Sequence, residues 1–333
     1  MCQDEQHETS SMMAIRTKQT LVMFPKAYRR GDGEMFSVGL VGCGRWGKVH
    51  LGVLQQLQRE GLVRRVSVCD VDPAQLKGFV VDAFYTHIND MVEGEDLDAV
   101  ALVTPADNHL ELLQLVLNKG LPVLVEKPLS NDHQAAIDAL QTLPKHTIML
   151  VGYLLRHHPG VLRLKSAIED EALSGIEVVA YVRRTMRPQP EGADALTSLA
   201  VHGLDTVAWL LDEALMDMEV VYMDRHHSNT LLRLQDKHGR RAIVDTAWGA
   251  TEEVRKVAVH TSTNGASLDF GQGELSWHLG QEGEAESVVE HYAGQALEQE
   301  WRVFLEMVKV NEPKVVPCVQ DLLDQSAWMK NHG

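Results

Sequence analysis

The sequence predicts an α/β chain: a doubly wound parallel sheet first, then a half built on antiparallel strands. Three observations predict it. The apolar run Val38-Gly39-Leu40-Val41 ends in the glycine turn Gly42-Cys43-Gly44-Arg45-Trp46-Gly47, and apolar residues at helical spacing follow from Lys48 to Leu57. Near-continuous apolar runs then alternate with helical patterns as far as Val151, which is how strands buried on both faces read. Beyond about residue 156 the pattern changes to alternating runs joined by short polar turns.

Each element has a local reason. The first strand is the apolar run that ends at Val41. At the turn, Gly42 permits a tight bend, Gly44 lets a pyrophosphate approach the backbone, and Gly47 lets helix and strand pack closely. Free N–H groups and the dipole at the helix start favour the same anion. Strand, glycine turn and helix in that order are the context that a G-x-G-x-x-G dinucleotide site requires. A second strand runs from Val63 into Asp70, a little over twenty residues past Gly47. A carboxylate there meets the hydroxyls of an adenosine ribose. A 2′-phosphate would be repelled by Asp70 and Asp72, and no arginine follows Asp70 to offset them, so NAD is favoured over NADP.

Pro73 to Gly78 reads as a short helix and Val80 to Tyr85 as a short third strand. Leu97 to Val103 is an apolar strand ending at Thr104-Pro105. The amphipathic helix His109 to Lys119 is closed by Gly120. Pro122 to Val125 is a buried strand leading to Glu126-Lys127-Pro128. Asn131 or Asp132 caps a helix that reaches Leu140, and Thr147 to Val151 is one more strand. In the second half, helices are expected at Pro159 to Glu171, Thr197 to Leu211, Ala293 to Val310 and Asp321 to Met329. Gly175 opens a long strand, Ile176 to Met186. Several runs from Met216 to Trp277 are joined by hairpin signals such as Asp236-Lys237-His238-Gly239 and Thr263-Asn264-Gly265.

Composition bounds the function. A length of 333 residues suits two domains of ordinary size. The net charge of -16 argues against nucleic acid as the main partner, since phosphate binding needs clustered Lys and Arg. No apolar run approaches the roughly 18 residues of a membrane span. Cys2, Cys43, Cys69 and Cys318 are scattered, which points to a reducing, cytoplasmic setting and against structural zinc. The pairs His157-His158 and His226-His227 have diverging side chains, so no metal site is expected. Residues 1–34 are polar and methionine-rich, with no apolar stretch like that of a secretory signal, and Asp4, Glu5 and Glu8 argue against a transit peptide. They are expected to be a disordered leader. The acid-rich run 281–286 is expected to be a solvated loop.

Ligands of an open parallel sheet bind at the carboxyl ends of its strands. Three loops there are unusual: Gly42 to Gly47, Thr104 to His109, and Glu126-Lys127-Pro128. Lys127 is the leading catalytic candidate. An ammonium at a strand end, facing a cofactor cleft, can exchange a proton with a substrate hydroxyl. To act as a base near neutral pH its pKa must fall from about 10.4 towards roughly 7–8. Burial and a positive nicotinamide ring both push it down.

The glycine turn, Asp70, Thr104-Pro105 with His109, Glu126-Lys127-Pro128, Gly152-Tyr153-Leu154-Leu155-Arg156-His157-His158-Pro159 and His202-Gly203-Leu204-Asp205 together resemble the glucose-fructose oxidoreductase / inositol dehydrogenase (Gfo/Idh/MocA) family. The resemblance runs from about residue 36 to the end. It implies an NAD(P)-binding Rossmann domain over residues 35–153. It also implies a substrate-binding and oligomerisation α/β domain over 154–333, with an open, mainly antiparallel sheet. The implied reaction is oxidation of a secondary alcohol, or reduction of a ketone, on a sugar, nucleotide sugar or cyclitol. The implied assembly is a homodimer or homotetramer joined through the C-terminal sheet. By position, Lys127 resembles the family's catalytic lysine and His202 its active-site histidine. Gly42, Gly44, Arg45, Trp46, Gly47, Asp70, Thr104, Pro105, His109, Glu126 and Lys127 fall on the cofactor cleft. Tyr153, Arg156, His158 and Asp205 fall on the substrate side, and Gly152 to Pro159 looks closest to members acting on nucleotide-linked amino sugars. The family's Lys-Pro peptide is often cis.

Two departures stand out. The family usually has an aspartate four residues before the histidine, on the same helix face, where this chain has Ser198. Serine accepts no proton at neutral pH, so a Lys–Asp–His relay is broken or re-routed. Asp194, in the preceding loop, is the nearby substitute. Gly203 stands where the family often has an acid. These departures keep a rival open: a cofactor-binding regulatory or scaffolding protein that retains the fold without the catalysis.

Overall fold

The computed structural model describes residues 35–279, 286–292 and 296–333. The expected leader at 1–34 and residues 281–285 of the acid-rich run lie outside the described residues. The first half runs β1 (Phe36–Val41), α1 (Arg45–Arg59), β2 (Val63–Cys69), β3 (Ala83–Tyr85), α2 (Ile88–Gly94), β4 (Ala99–Leu102), α3 (His109–Asn118), β5 (Val123–Val125), α4 (His133–Gln141) and β6 (Ile148–Val151). The second half runs α5 (Pro159–Glu169), β7 (Ile176–Arg184), α6 (Val201–Leu211), β8 (Glu219–His226), β9 (Asn229–Gln235), β10 (Arg241–Ala247), β11 (Val254–Thr261), β12 (Gly265–Asp269), β13 (Glu274–Leu279), β14 (Glu286–His291), α7 (Ala296–Val310), β15 (Lys314–Val316) and α8 (Val319–His332).

The first sheet is parallel, in the order β15-β6-β5-β4-β1-β2-β3. Its inner strands bury every residue, which is why they read as unbroken apolar runs. One face packs Leu51, Leu54 and Leu57 of α1 with Trp301 and Phe304 of α7; the other packs Met91, Leu113, Val116 and Leu140. The strand order reverses between β1 and β4, so the crevice at their carboxyl ends is the natural ligand site. The glycine turn follows β1, the Thr104 loop follows β4, and Glu126-Lys127 follows β5.

The second sheet has the order β14-β13-β12-β11-β7-β10-β9-β8. It is antiparallel except that β10 runs parallel to β7. The predicted turns at 236–239 and 263–265 do join β9 to β10 and β11 to β12. Helices α5 and α6 cover one face, pressing Gly160 against Leu268 and Gly203 against Tyr181. On the other face Val178, Ala180 and Val182 remain half-exposed.

Several expectations change. No helix forms at 73–78: Asp72 Oδ1 accepts the Ala74 N–H at 2.9 Å, and Gly78 takes φ +84°, so the segment closes into successive tight turns. The third strand shrinks to three residues, and α2 was not anticipated. The helix expected from Thr197 begins as one π-helical turn, Leu196–Ala200, before α6. Past the second sheet, α7 packs on the first core and β15 pairs with β6. A strand of three residues is too short to carry a periodic signal.

Candidate functional site

The glycine turn has a geometric reason at each glycine. Gly42 takes φ +93°, and a Cβ there would sit 2.5 Å from the Val103 carbonyl oxygen. A Cβ on Gly47 would lie 2.0 Å from the Gly42 carbonyl oxygen, so only glycine lets α1 start there. Nothing stands within 4 Å beside Gly44, the N-cap of α1. The first turn of α1 holds no acid, and no side chain caps it. An open, uncapped helix start fits a pyrophosphate. Arg45 is exposed and Trp46 half-buried beside it. Asp70 accepts the Cys43 N–H at 2.7 Å and the Asp72 N–H at 2.9 Å, so its carboxylate also holds the turn in shape. Burial pushes the thiols of Cys43 and Cys69 up to about 12, so neither is a reactive thiolate.

Glu126 is the buried centre of the next loop. Its Oε1 accepts Trp46 Nε1–H at 2.5 Å and lies 3.0 Å from His50 Nε2, while Oε2 accepts the Lys127 N–H at 3.1 Å. Trp301 Nε1 donates to His50 Nδ1 at 3.1 Å. An indole only donates, so Nδ1 is the acceptor and Nε2 carries the proton given to Glu126. Burial alone would raise the Glu126 carboxyl; the His50 and Trp46 bonds carry it below the usual range. Glu300 on α7 is fully buried, and among the described residues neither carboxyl oxygen has a hydrogen-bond partner. Burial, then the Glu126 charge, pushes its pKa well above the usual carboxyl range.

Lys127 lies at the end of β5, joined to Pro128 by a cis peptide. Its Nζ donates to the Ser198 carbonyl at 3.3 Å. Burial lowers its pKa; the Glu126 charge opposes. His202 lies one turn past Ser198, at the start of α6. Burial, then the charges of Lys127, Arg255 and Arg183, push it well below its ordinary value, so His202 is neutral at physiological pH. The serine that replaces the expected aspartate therefore meets Lys127 through its backbone. Asp194 does not substitute for the missing carboxylate. Its Oδ1 accepts the N–H groups of Leu196 at 2.9 Å and Thr197 at 3.3 Å, which caps the π-helical turn. Gly203 has a packing cause: a Cβ there would lie 2.3 Å from Tyr181 Cδ1.

Other expected residues take different work. His109, 1% exposed, lies 2.9 Å from the Pro128 carbonyl through Nδ1 and 2.8 Å from the Thr104 carbonyl through Nε2. Both partners are carbonyl acceptors, so the ring, whose pKa burial lowers, donates to one of the two cleft loops at a time when neutral. Thr104 keeps a buried hydroxyl without a partner, beside exposed Pro105. Arg156 and Asp205 pair with each other: Nη2 to Oδ1 is 2.7 Å, Nε to Oδ2 is 3.1 Å, and Nη1 reaches Asp321 at 2.6 Å. His158 Nδ1 accepts the Gly160 N–H at 3.1 Å and so caps α5, while its ring meets Phe270 edge-on at 4.9 Å. Only Tyr153, buried near Val201, keeps a position between the two halves.

Sequence reasoning missed Glu300, Trp301 and the cations Arg183 and Arg255. Trp301 lies 251 residues from its partner His50, a distance no local pattern spans. Arg183 and Arg255 continue strand faces that are otherwise apolar, and that alternation was the available signal.

The fold and site together define a two-part dinucleotide-binding protein. Residues 36–153 match the model of the oxidoreductase family with an NAD-binding Rossmann fold, named for Gfo, Idh and MocA. The rhizopine catabolism protein MocA of Rhizobium meliloti is 27% identical over 53% of this chain and 57% of its own length. Inositol 2-dehydrogenase of Rhizobium meliloti (strain 1021) is 24% identical over 69% of this chain and 74% of its own. The matches thus span about half to three quarters of these relatives. The 3-ketoreductase KijD10 of Actinomadura kijaniata, solved with NADP and TDP-benzene, superposes with a TM-score of 0.75 at 18% identity, covering 89% of this chain and 96% of that one. An oxidoreductase of Agrobacterium radiobacter, solved with NAD+, L-tartaric acid and magnesium, has a TM-score of 0.73 at 16% identity, with 89% and 95% covered. Residues 36–153 thus match the family's NAD-binding Rossmann domain, and the chain as a whole resembles the Gfo/Idh/MocA proteins.

Proposed function

We propose that this protein is an NAD-dependent dehydrogenase or reductase acting between a secondary alcohol and a ketone on a sugar, nucleotide sugar or cyclitol. One observation carries it: a half-buried lysine amine stands at the β5 carboxyl end, held by the Ser198 carbonyl, next to Glu126 whose carboxylate binds Trp46 of the glycine turn; partial burial lowers its pKa. Gly42, Gly44, Gly47 and Asp70 would hold the dinucleotide, with Arg45, Trp46, Thr104, Pro105 and Glu126 around its cleft. When bound, NAD supplies the hydride acceptor for oxidation. Lys127 Nζ takes the substrate hydroxyl proton in oxidation and returns it in reduction. The Ser198 carbonyl orients that amine, and Glu126 stands behind it as a fixed negative charge. His202, neutral, offers a donor or acceptor to the substrate oxygen, and Tyr153 bounds the substrate side. Asp70 in place of a base favours NAD over NADP.

The reading includes residues 35–153 as cofactor domain and 154–333 as substrate and assembly domain, a cytoplasmic setting, and a homodimer or homotetramer through the second sheet. No described helix is long and apolar enough to cross a membrane. The alternative is a cofactor-binding regulatory or scaffolding protein of the same fold. It is favoured by the carbonyl, rather than a carboxylate, that meets Lys127. Lys127→Met separates them. Turnover on a sugar panel should fall by about 10²–10⁴, the usual contribution of a general base, while NAD affinity stays within a few-fold. Full activity in the variant removes Lys127 from its role, and NAD binding without turnover in the unmodified protein favours the alternative.

A further inference from the structure

The helix-covered face of the second sheet carries cations that this reading does not use. On a strand, one face recurs every second residue. In β7 that face is Val179, Tyr181 and then Arg183; in β11 it is Val259, Val257 and then Arg255. Arg255 is the ladder partner of Arg183, so two guanidinium groups stand side by side on neighbouring strands. Like charges so placed repel unless something compensates them. Arg187, just past β7, lies 5.6 Å from the centre of the Trp248 ring.

Arg183 is paired with Glu253. Among the described residues, neither Arg255 nor Arg187 is paired with a carboxylate. Arg255 lies 4.9 Å over the Phe270 ring, and Arg187 donates from Nε to Thr185 Oγ1 at 3.3 Å. A stacked guanidinium keeps its edge N–H groups for a planar anion. Among the described residues the buried Trp248 indole N–H has no hydrogen-bond partner, one more donor beside Arg187. In a chain of net charge -16, a cluster of three arginines with one carboxylate partner among them is out of character; Arg183 and Arg255 are half-buried and Arg187 is exposed.

The cluster adjoins the catalytic candidates. Helix α6 sits on Tyr181 through Gly203, whose neighbour is His202, and Arg183 is two residues beyond Tyr181, roughly 6–7 Å along the strand. The charges of Arg255 and Arg183 are felt at His202, which they help keep neutral.

We propose that Arg255, with Arg183 and Arg187, forms a subsite for a carboxylate or phosphate group carried by the substrate. It rests on the dehydrogenase reading for its neighbour Lys127, but anion binding is measurable without turnover. The full chain, saturated with NAD so that the glycine turn is filled, is titrated calorimetrically with inorganic pyrophosphate, glucuronate and uncharged myo-inositol. At least one anion binds about tenfold or more tightly than inositol, as charged hydrogen bonds of this kind imply. A preference for pyrophosphate marks a phosphate-bearing substrate, and a preference for glucuronate marks an acid. Arg255→Met and, separately, Arg187→Gln weaken the anion about tenfold, while NAD affinity stays within twofold. Equal anion binding by both variants, or no anion binding by the NAD-loaded protein, overturns the subsite. Failure of the unmodified protein to bind NAD overturns the dehydrogenase reading instead.

Discussion

At the scale of single residues, the buried histidines make a pH prediction. Burial pushes His157 and His158 down to about 4, helped by Arg156 and Arg255 respectively. Their folded values thus lie below the unfolded value, near 6.5. The unfolded chain takes up protons first, so stability is full above about pH 6.5, falls as pH drops towards 4, and levels off below. Each histidine accounts for on the order of 3 kcal/mol of that loss. Urea unfolding at pH 7 and pH 4.5 should show it, and His157→Phe should flatten the curve; a curve equally steep in the variant contradicts the assignment. Residue-scale legibility was uneven for a physical reason. The glycine turn acts through its own backbone, and Glu126, Lys127 and Pro128 are contiguous in the chain, so short motifs reveal both. The Arg156–Asp205–Asp321 cluster closes across 49 and 165 residues, so the sequence showed charges but not that they neutralise one another.

At the scale of elements, α1 depends on Gly47. Gly47→Ala forces a methyl group to within 2.0 Å of the Gly42 carbonyl. Overpacking of this kind costs about 1–3 kcal/mol. The variant should melt several degrees lower and bind NAD more weakly; unchanged melting and NAD affinity would show that the turn tolerates a side chain. Gly203→Ala should lift α6 from Tyr181 and slow turnover through His202. The buried parallel strands and the helices between them were readable because each is longer than one period. The tight turns at 73–78, the π-helical turn before α6 and the short β15 were not, since hydrogen bonds and sheet pairing rather than periodicity decide them.

At the scale of the molecule, the chain folds back on itself: α7 and β15 return to the first sheet after the second is complete. This stitches the halves together and brings Glu300 and Trp301 to the back of the Lys127 loop. Among the described residues the second sheet is covered on one face, with half-exposed Ala180 near the middle of the other. The proposed assembly through this sheet predicts that Ala180→Asp gives monomers in light scattering where the unmodified protein gives a dimer or tetramer; an equal mass for both contradicts that interface. The central claim is that the Lys127 amine, half-buried and held by the Ser198 carbonyl, loses its proton more easily than the other lysines do. An NMR titration of lysine amines in the NAD-loaded protein, with Lys127→Met to assign the signal, tests it most directly. Lys127 should titrate clearly below the other lysines; titration alongside them, near 10.4, would contradict the account.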